Sequence, residues 1–262
     1  MFELKPSGLP PLDHWFPVGA FGVSALAEHA LVARTGRWWA DRPVAPRVMA
    51  VECGGRVLLR GDPRALRPDG LASLLTPCLD APASFLPALR ASFPQLEHAQ
   101  NMVYVHGAPS LPAHPPRGVL VRRLTPEDAA MLADLPAEAS WIHATWGGPD
   151  GLAASGTAWG AVRRGRLLGL ACTHILGSRY EDVAVVAGPG PRGEHVTLAC
   201  VDALCRDIAG RGHTPSWSCR REDRTQRLLA WQAGFRIARE CAHYTIERIA
   251  RDTAPVRAAV RA

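Results

Sequence analysis

The sequence predicts an α+β protein of two units, and three features of its 262 residues point to that class. Prolines and small residues in HGAPSLPAHPPR (106–117) interrupt every periodic pattern, as a linker does. Before that break, RVMAVECGGRVLLRGD (47–62) alternates apolar residues about Gly54–Gly55, the pattern of a β-hairpin with a tight turn. After it, strand-like alternation over 157–187 gives way to Val201, Leu204, Cys205 and Ile208 at helical spacing. A chain of this length can form two compact units of about 100–150 residues each. The expected division is 1–105 for a first α+β domain, 106–117 for the linker, 118–250 for the second domain and 251–262 for a tail.

In the first unit, helical patterns flank the hairpin at SALAEHALVART (24–35) and near 64–75 and 84–98, and no residue there names a chemistry. In the second unit, GVLVRRL (118–124) reads as a strand. TPEDAAMLADL (125–135) reads as a helix with Thr125 as N-cap and Pro126 at its first position. ASWIHATWGGPDGLAASG (139–156) is short helices or loop. Strands 157–165, 166–175 and 180–187, with turns at Arg164–Gly165 and Gly177–Arg179, form an antiparallel meander. A helix follows from Val196 to Ala209, stopped by Gly210 and Gly212. HTPSWSC (213–219) is a strand and DRTQRLLAWQAG (223–234) a helix with Asp223 as N-cap, Gln226 in its capping box and Gly234 as its stop; 235–249 supplies one or two closing strands.

Composition narrows the function. Hydrophobic residues at 47% and charged residues at 21% are ordinary globular values. With no run of about 18 apolar residues and no basic start followed by an apolar stretch, a cytoplasmic protein without a membrane partner is expected. The net charge is +6, yet Lys5 is the only lysine and the arginines are dispersed among acids, so no nucleic acid partner is expected. The seven cysteines, Cys53, Cys78, Cys172, Cys200, Cys205, Cys219 and Cys241, lack CxxC spacing and read as reduced, buried small hydrophobes. The ten histidines are scattered without HExxH, and no metal is expected.

The order of elements after the linker, with EDVAVVAGPGPRG (181–193), GRGHTPSW (210–217) and DRTQRLLAWQAGF (223–235), resembles the GNAT superfamily of N-acetyltransferases over about residues 118–249. The resemblance implies a GNAT-like mixed sheet with flanking helices, and a first domain that is a degenerate copy or a substrate-side lid. It implies acetyl transfer from acetyl-CoA to a primary amine, carried by a small molecule or a peptide, by direct attack. In that family the pyrophosphate loop reads Arg/Gln-x-x-Gly-x-Gly/Ala. Here the window is Arg192-Gly193-Glu194-His195-Val196-Thr197, with His195 and Thr197 at the small-residue positions. Non-glycine residues in such a turn cost about 1–3 kcal/mol, and Glu194 adds a negative charge near a dianion. The stretch GPGPRGEHVTL (188–198) thus reads either as an altered anion cradle or as a connecting loop.

The same resemblance implies Glu181 as general base, with Asp182 as the adjacent candidate; the other reading of Glu181 is a solvated strand-end carboxylate. Backbone groups of Val185, Val186 and Ala187 are implied to pair with the pantetheine arm and polarise the thioester carbonyl. Asp223 stands where an asparagine is usual, and Ala230 stands where a tyrosine often protonates the departing thiolate. Trp141, His143, Trp146 and Asp150 fall where the acceptor-binding helices lie, and they read equally as packing. His174 and Cys219 read as core residues, and Trp159, Trp217 and Trp231 as core packing. A catalytically silent acyl-CoA-binding or regulatory protein is the alternative function, and a scaffold without cofactor a third.

Overall fold

The computed structural model describes residues 1–71, 74, 78–108, 110, 113–188 and 191–246. The expected tail at 251–262 lies outside the described residues, as do 189 and 190 of the glycine-bearing stretch and the side chain of Arg192. The first half contains β1 (Phe2–Leu4), α1 (Leu26–Ala33), β2 (Arg37–Ala40), β3 (Val48–Cys53), β4 (Arg56–Gly61), β5 (Cys78–Asp80), α2 (Leu86–Ser92) and β6 (Leu96–His106). The second contains β7 (Leu120–Arg123), α3 (Ala129–Ala133), α4 (Pro149–Ala154), β8 (Ala158–Arg163), β9 (Arg166–Leu176), β10 (Tyr180–Ala187), α5 (Pro191–Gly210), β11 (Thr214–Arg220), α6 (Arg224–Gln232) and β12 (Phe235–Ile246).

Among the described residues, twelve strands join one sheet in the order β1-β2-β3-β4-β5-β12-β6-β11-β10-β9-β8-β7. Read from its two edges, this order is the same in both halves. Each half runs inward through five strands in sequence, and the parallel pairs fall at matching places, β4 with β5 and β10 with β11. At the centre the halves exchange a strand: β12 pairs with β5, and β6 pairs with β11. The two exchanged strands pair antiparallel with each other, so an approximate two-fold relation passes between them. The expected boundary at residue 105 therefore falls at the end of a strand that hydrogen-bonds to the second half.

Local chemistry explains much of the second half. The meander β8-β9-β10 is antiparallel as expected, and Arg164 (φ 51°) with Gly165 (φ 73°) makes the tight turn between its first two strands. Thr125 opens a 3-10 turn, Pro126–Asp128, that leads into α3; the Asp128 carboxylate accepts from the Thr125 N–H at 2.9 Å. Asp223 caps α6 by accepting from the Gln226 N–H at 2.9 Å. Three expectations are corrected. The helix placed at 84–98 ends at Ser92, and Pro94 separates it from β6. The pattern near 64–75 gives only 3-10 turns at Pro63–Ala65 and Pro68–Leu71 among the described residues. The helix placed from Val196 starts at Pro191.

Four apolar clusters fill the two faces of the sheet. On one face of the second half, α5 and α6 bury Val196, Val201, Leu204 and Ile208 against Val183, Val185 and Trp217. On the other, Leu132, Ile142 and Leu152 pack on Leu170 and Cys172. The first half repeats the two layers, with Phe85 and Leu89 on Leu79 and Tyr244, and Leu26 on Trp38, Met49 and Leu58. Trp217 is buried as expected and Trp159 half-buried. Trp231 is not core: it is 55% exposed, with the Arg236 guanidinium over its ring. Among the described residues, no helix is long and apolar enough to cross a membrane.

The hairpin tip joins the halves. Gly54 has φ +59°, and a Cβ there would sit 2.6 Å from the backbone nitrogen of Thr145 in the second half. Gly54→Ala is therefore expected to cost about 1–3 kcal/mol, through left-handed strain and the forced separation of β3–β4 from Thr145. Chemical denaturation of both proteins checks this; an unchanged midpoint would remove Gly54 as a contact between halves.

Candidate active site

β10 and β11 pair in parallel only from Tyr180↔Thr214 to Val183↔Trp217, while β10 continues to Ala187 and β11 to Arg220. Beyond Val183 the two strands diverge, so backbone N–H and C=O groups on one edge of 184–187 lose their strand partner and face an opening. A cleft of about 220 Å³ occupies the divergence. Its walls include Asp182 to Val185 from β10, Trp217 to Arg220 from β11, and Asp223 and Gln226 at the start of α6. A second cavity of about 580 Å³ continues along the same strand, lined by Val186, Ala187 and Gly188 and by residues of α3 and β9. The expected run Val185, Val186 and Ala187 thus lies along both spaces, Val185 in the first and the other two in the second.

The two adjacent carboxylates of β10 point to opposite faces of the sheet, as strand geometry requires. Glu181 is fully buried and closed off: Thr173 Oγ1 donates to it at 2.5 Å, Arg211 at 2.8 and 3.1 Å, and His213 Nδ1 lies 2.9 Å away. It is absent from the cleft wall, so the structure does not bring the expected general base to the opening between β10 and β11. Both of its oxygens are engaged by a guanidinium, a hydroxyl and an imidazole. Asp182 does line the cleft. The hydroxyls of Ser216 and Ser218 both donate to its Oδ1, at 2.9 and 3.1 Å, and burial pushes its carboxyl up to about 6 against those hydrogen bonds.

The first half supports that carboxylate from behind. The Gly22 N–H donates to Ser216 Oγ at 3.2 Å, so a hydrogen-bond chain runs from the 3-10 segment Gly22–Ala25 to Asp182. Gly22 has φ +66°, and a Cβ there would lie 2.9 Å from Ser218 Oγ.

Of the four expected acceptor-binding residues, one reaches the cleft. Trp141 lies on its wall, 46% exposed, with its ring edge-on to His174 at 5.4 Å. Trp146 packs on His29 and donates its indole N–H to the Thr173 carbonyl at 2.7 Å. His143 and Asp150 are not on the wall; burial lowers the His143 imidazole, and Asp150 lies in the first turn of α4. His174, expected in the core, is 6% exposed but borders the cleft; burial drives it down to about 3, so it stays neutral at physiological pH. Cys219 borders the cleft as well, and burial pushes its thiol up to about 12. Ala230 lies on the buried face of α6.

The window expected to hold the pyrophosphate is the opening of α5. Gly193 packs where a Cβ would come within 1.9 Å of the Gly188 carbonyl oxygen, so its smallness serves the strand-to-helix corner. Val196 and Thr197 point inward, with Thr197 Oγ1 donating to the Gly193 carbonyl at 2.8 Å; Thr197 therefore does not obstruct a ligand. Glu194 and His195 remain at the surface of the first turns.

Sequence reasoning missed the opposite wall. Arg56, Cys78, Asn101 and His243 from β4, β5, β6 and β12 line the same cleft. Asp80 accepts from His243 Nδ1 at 3.1 Å and lies 3.6 Å from an Arg56 nitrogen. Burial acts against the charge on His243, and the hydrogen bonds with Asp80 and Cys78 overcome it, raising the imidazole to about 9. No local pattern signals this group, because its members come from strands far apart in the chain.

Comparison with known proteins identifies the fold and the family. No family model matches the chain. It is 50% identical over 214 residues to the uncharacterized N-acetyltransferase in the mutA 5′ region of Streptomyces virginiae, covering 81% of this chain and 90% of the relative. A GCN5-related N-acetyltransferase-like protein from Streptococcus suis 89/1591 superposes with a TM-score of 0.70 at 14% identity, over 87% of this chain and 95% of that one. A tandem GNAT protein from the clavulanic acid biosynthesis pathway superposes at 0.50 with 10% identity, over 87% and 90%. The structural likenesses establish a GNAT fold, in keeping with the doubled strand order. The half-identical relative, aligned over four-fifths of the chain, establishes kinship: the chain belongs to the GNAT superfamily of N-acetyltransferases.

Proposed function

We propose that the second half transfers an acetyl group from acetyl-CoA to a primary amine by direct attack, with Asp182 as the general base. The observation that carries this reading is the divergence of β10 and β11 beside a buried carboxylate held near neutral pH. An unperturbed ammonium with a pKa near 10.4 is mostly protonated at pH 7, and a carboxylate raised to about 6 accepts its proton more readily than an ordinary one. In this reading backbone N–H groups of 184–187 polarise the thioester carbonyl. A thiol of pKa near 8.5 departs as thiolate at modest cost, so the alanine at 230 does not bar turnover. The first half carries no such carboxylate in β4, whose sequence is RVLLRG.

The pyrophosphate falls to the N-terminus of α5, where the free N–H groups and the helix dipole favour an anion and the exposed Glu194 opposes it. Glu194→Gln is therefore expected to tighten acetyl-CoA about 3- to 10-fold at low salt and to leave pantetheine, which lacks the pyrophosphate, unchanged. Calorimetric titration of both ligands reads this directly, and an equal change for both would move the anion elsewhere. The function itself is tested by CoA release at pH 7 across a panel of primary amines. Release with one amine class supports transfer, whereas binding without release from any amine favours the silent acyl-CoA-binding protein.

A further inference from the structure

We propose that Cys78, His243 and Asp80 form an acyl-accepting nucleophile on the cleft wall, which takes the acetyl group when a thioester enters without an amine. The inference rests on acetyl-CoA as donor, the reading given above. Its geometry comes from three strands. Cys78 and Asp80 are two residues apart on β5 and so share a face, and antiparallel pairing sets His243 directly opposite Asp80. Cys78 is then the diagonal neighbour of His243, within side-chain reach. The Asp80 carboxylate orients the ring through the 3.1 Å bond to Nδ1. Arg56, opposite Cys78 in the parallel register of β4 and β5, closes the group from the other side.

The remaining cysteines sharpen the contrast. Cys53, Cys172, Cys200, Cys205 and Cys219 are buried, and burial raises the thiols of all five. Cys241 is only half-buried, but its thiol rises to about 11. Cys78 alone among them is lowered: its hydrogen bond with His243 outweighs burial, and Arg56 adds to the effect. It is half-buried, like Cys241, but lies on the wall of the cleft that Val183 to Val185 border. A thiolate paired with an imidazolium that a carboxylate orients is the arrangement that activates cysteine for acyl transfer.

The steps balance without any further reagent. The Cys78 thiolate attacks the carbonyl carbon of the thioester, the bond from that carbon to the CoA sulfur breaks, and the departing sulfur takes the proton from His243. An amine arriving later attacks the acyl-cysteine, the new carbon–sulfur bond breaks, and His243 regains a proton from the amine. Bonds broken and formed are of the same kind, so the first step is close to thermoneutral and reversible.

Intact-protein and peptide mass spectrometry test this after mixing the full chain with acetyl-CoA in the absence of amine. Expected is a gain of one acetyl group on the peptide that contains Cys78, discharged on adding an amine substrate, kept in Cys219→Ser and lost in Cys78→Ser. His243→Gln is expected to slow acylation about tenfold or more, and to slow alkylation of Cys78 by iodoacetamide by a similar factor at pH 7. Parallel calorimetry shows whether acetyl-CoA is bound. Bound acetyl-CoA with no acetyl gain, or a gain on another residue, overturns the proposal. If acetyl-CoA is not bound, the donor reading fails instead, and the small thioester S-acetyl-N-acetylcysteamine then decides: acylation of Cys78 supports the nucleophile and its absence removes it.

Discussion

Replacing Asp182 with asparagine is expected to lower turnover at pH 7 by about 10²- to 10⁴-fold while raising the stability of the fold by about 3 kcal/mol. The two effects share one cause. Burial lifts the carboxyl from 3.8 to about 6, so the folded protein resists the charge that the base needs. Between those two values the folded state binds more protons than the unfolded chain, and stability therefore falls as pH rises through the window. Above about pH 6 the full penalty is present, and at pH 4 most of it is absent. The amide oxygen of asparagine still accepts from Ser216 and Ser218, so little hydrogen bonding is lost with the charge. Urea denaturation at pH 4 and pH 7 should show the gain only at the higher value, and the pH–rate profile of the parent protein should rise near 6. A variant that kept turnover within tenfold, or that lost stability at pH 7, would show that Asp182 is not a strained base.

Adjacent carboxylates illustrate where a sequence stops being informative. The meander, the Thr125 and Asp223 caps and the turn at Arg164–Gly165 depend on neighbours within a few residues, and their chemistry is written locally. Whether Glu181 or Asp182 faces the cleft is a matter of strand parity. That parity is set by partners that are distant in the chain: Thr173, Arg211 and His213 collect around one, Ser216 and Ser218 around the other. The strand LEHAQNMVYVH reads poorly because its first half is polar and largely exposed, and its conformation is imposed by β11 and β12 on either side. The exchange of β6 and β12 between halves leaves no local trace, which is why the wall that carries Cys78 and His243 is not legible in the sequence, where Cys78 reads as a small hydrophobe. The α5 opening misled for another reason. Thr197, with His195, stands at a small-residue position of the expected cradle, yet helix geometry from Pro191 turns Thr197 toward β9, where a Cβ on Gly169 would lie 3.1 Å from its Oγ1.

Glu181→Gln is expected to behave as the opposite of the Asp182 change, with stability lost and catalysis kept. The carboxylate has no exposed surface and anchors Arg211 just beyond the end of α5, where Arg211 also bonds Asp207 at 2.6 Å. An amide in its place removes the charge that holds the guanidinium and presents an N–H₂ group where Thr173, Arg211 and His213 all require an acceptor. Breaking one side of a buried ion pair typically costs about 3–5 kcal/mol; Arg211 is 32% exposed and retains Asp207, so about 2–4 kcal/mol is the expected loss. For a chain of this size that lowers the melting temperature by about 4–16 °C. Below the transition, turnover should stay within about threefold of the parent at both pH 7 and pH 9, because in the proposed reaction the acceptor's proton passes to Asp182 instead. A double cycle with Arg211→Gln separates the pair from the rest of the network, with an expected coupling of about 1–3 kcal/mol. If Glu181→Gln instead kept its melting temperature and lost a hundredfold in turnover at pH 7 but little at pH 9, the acceptor's proton would be leaving through Glu181, and the cleft would have to open toward α5.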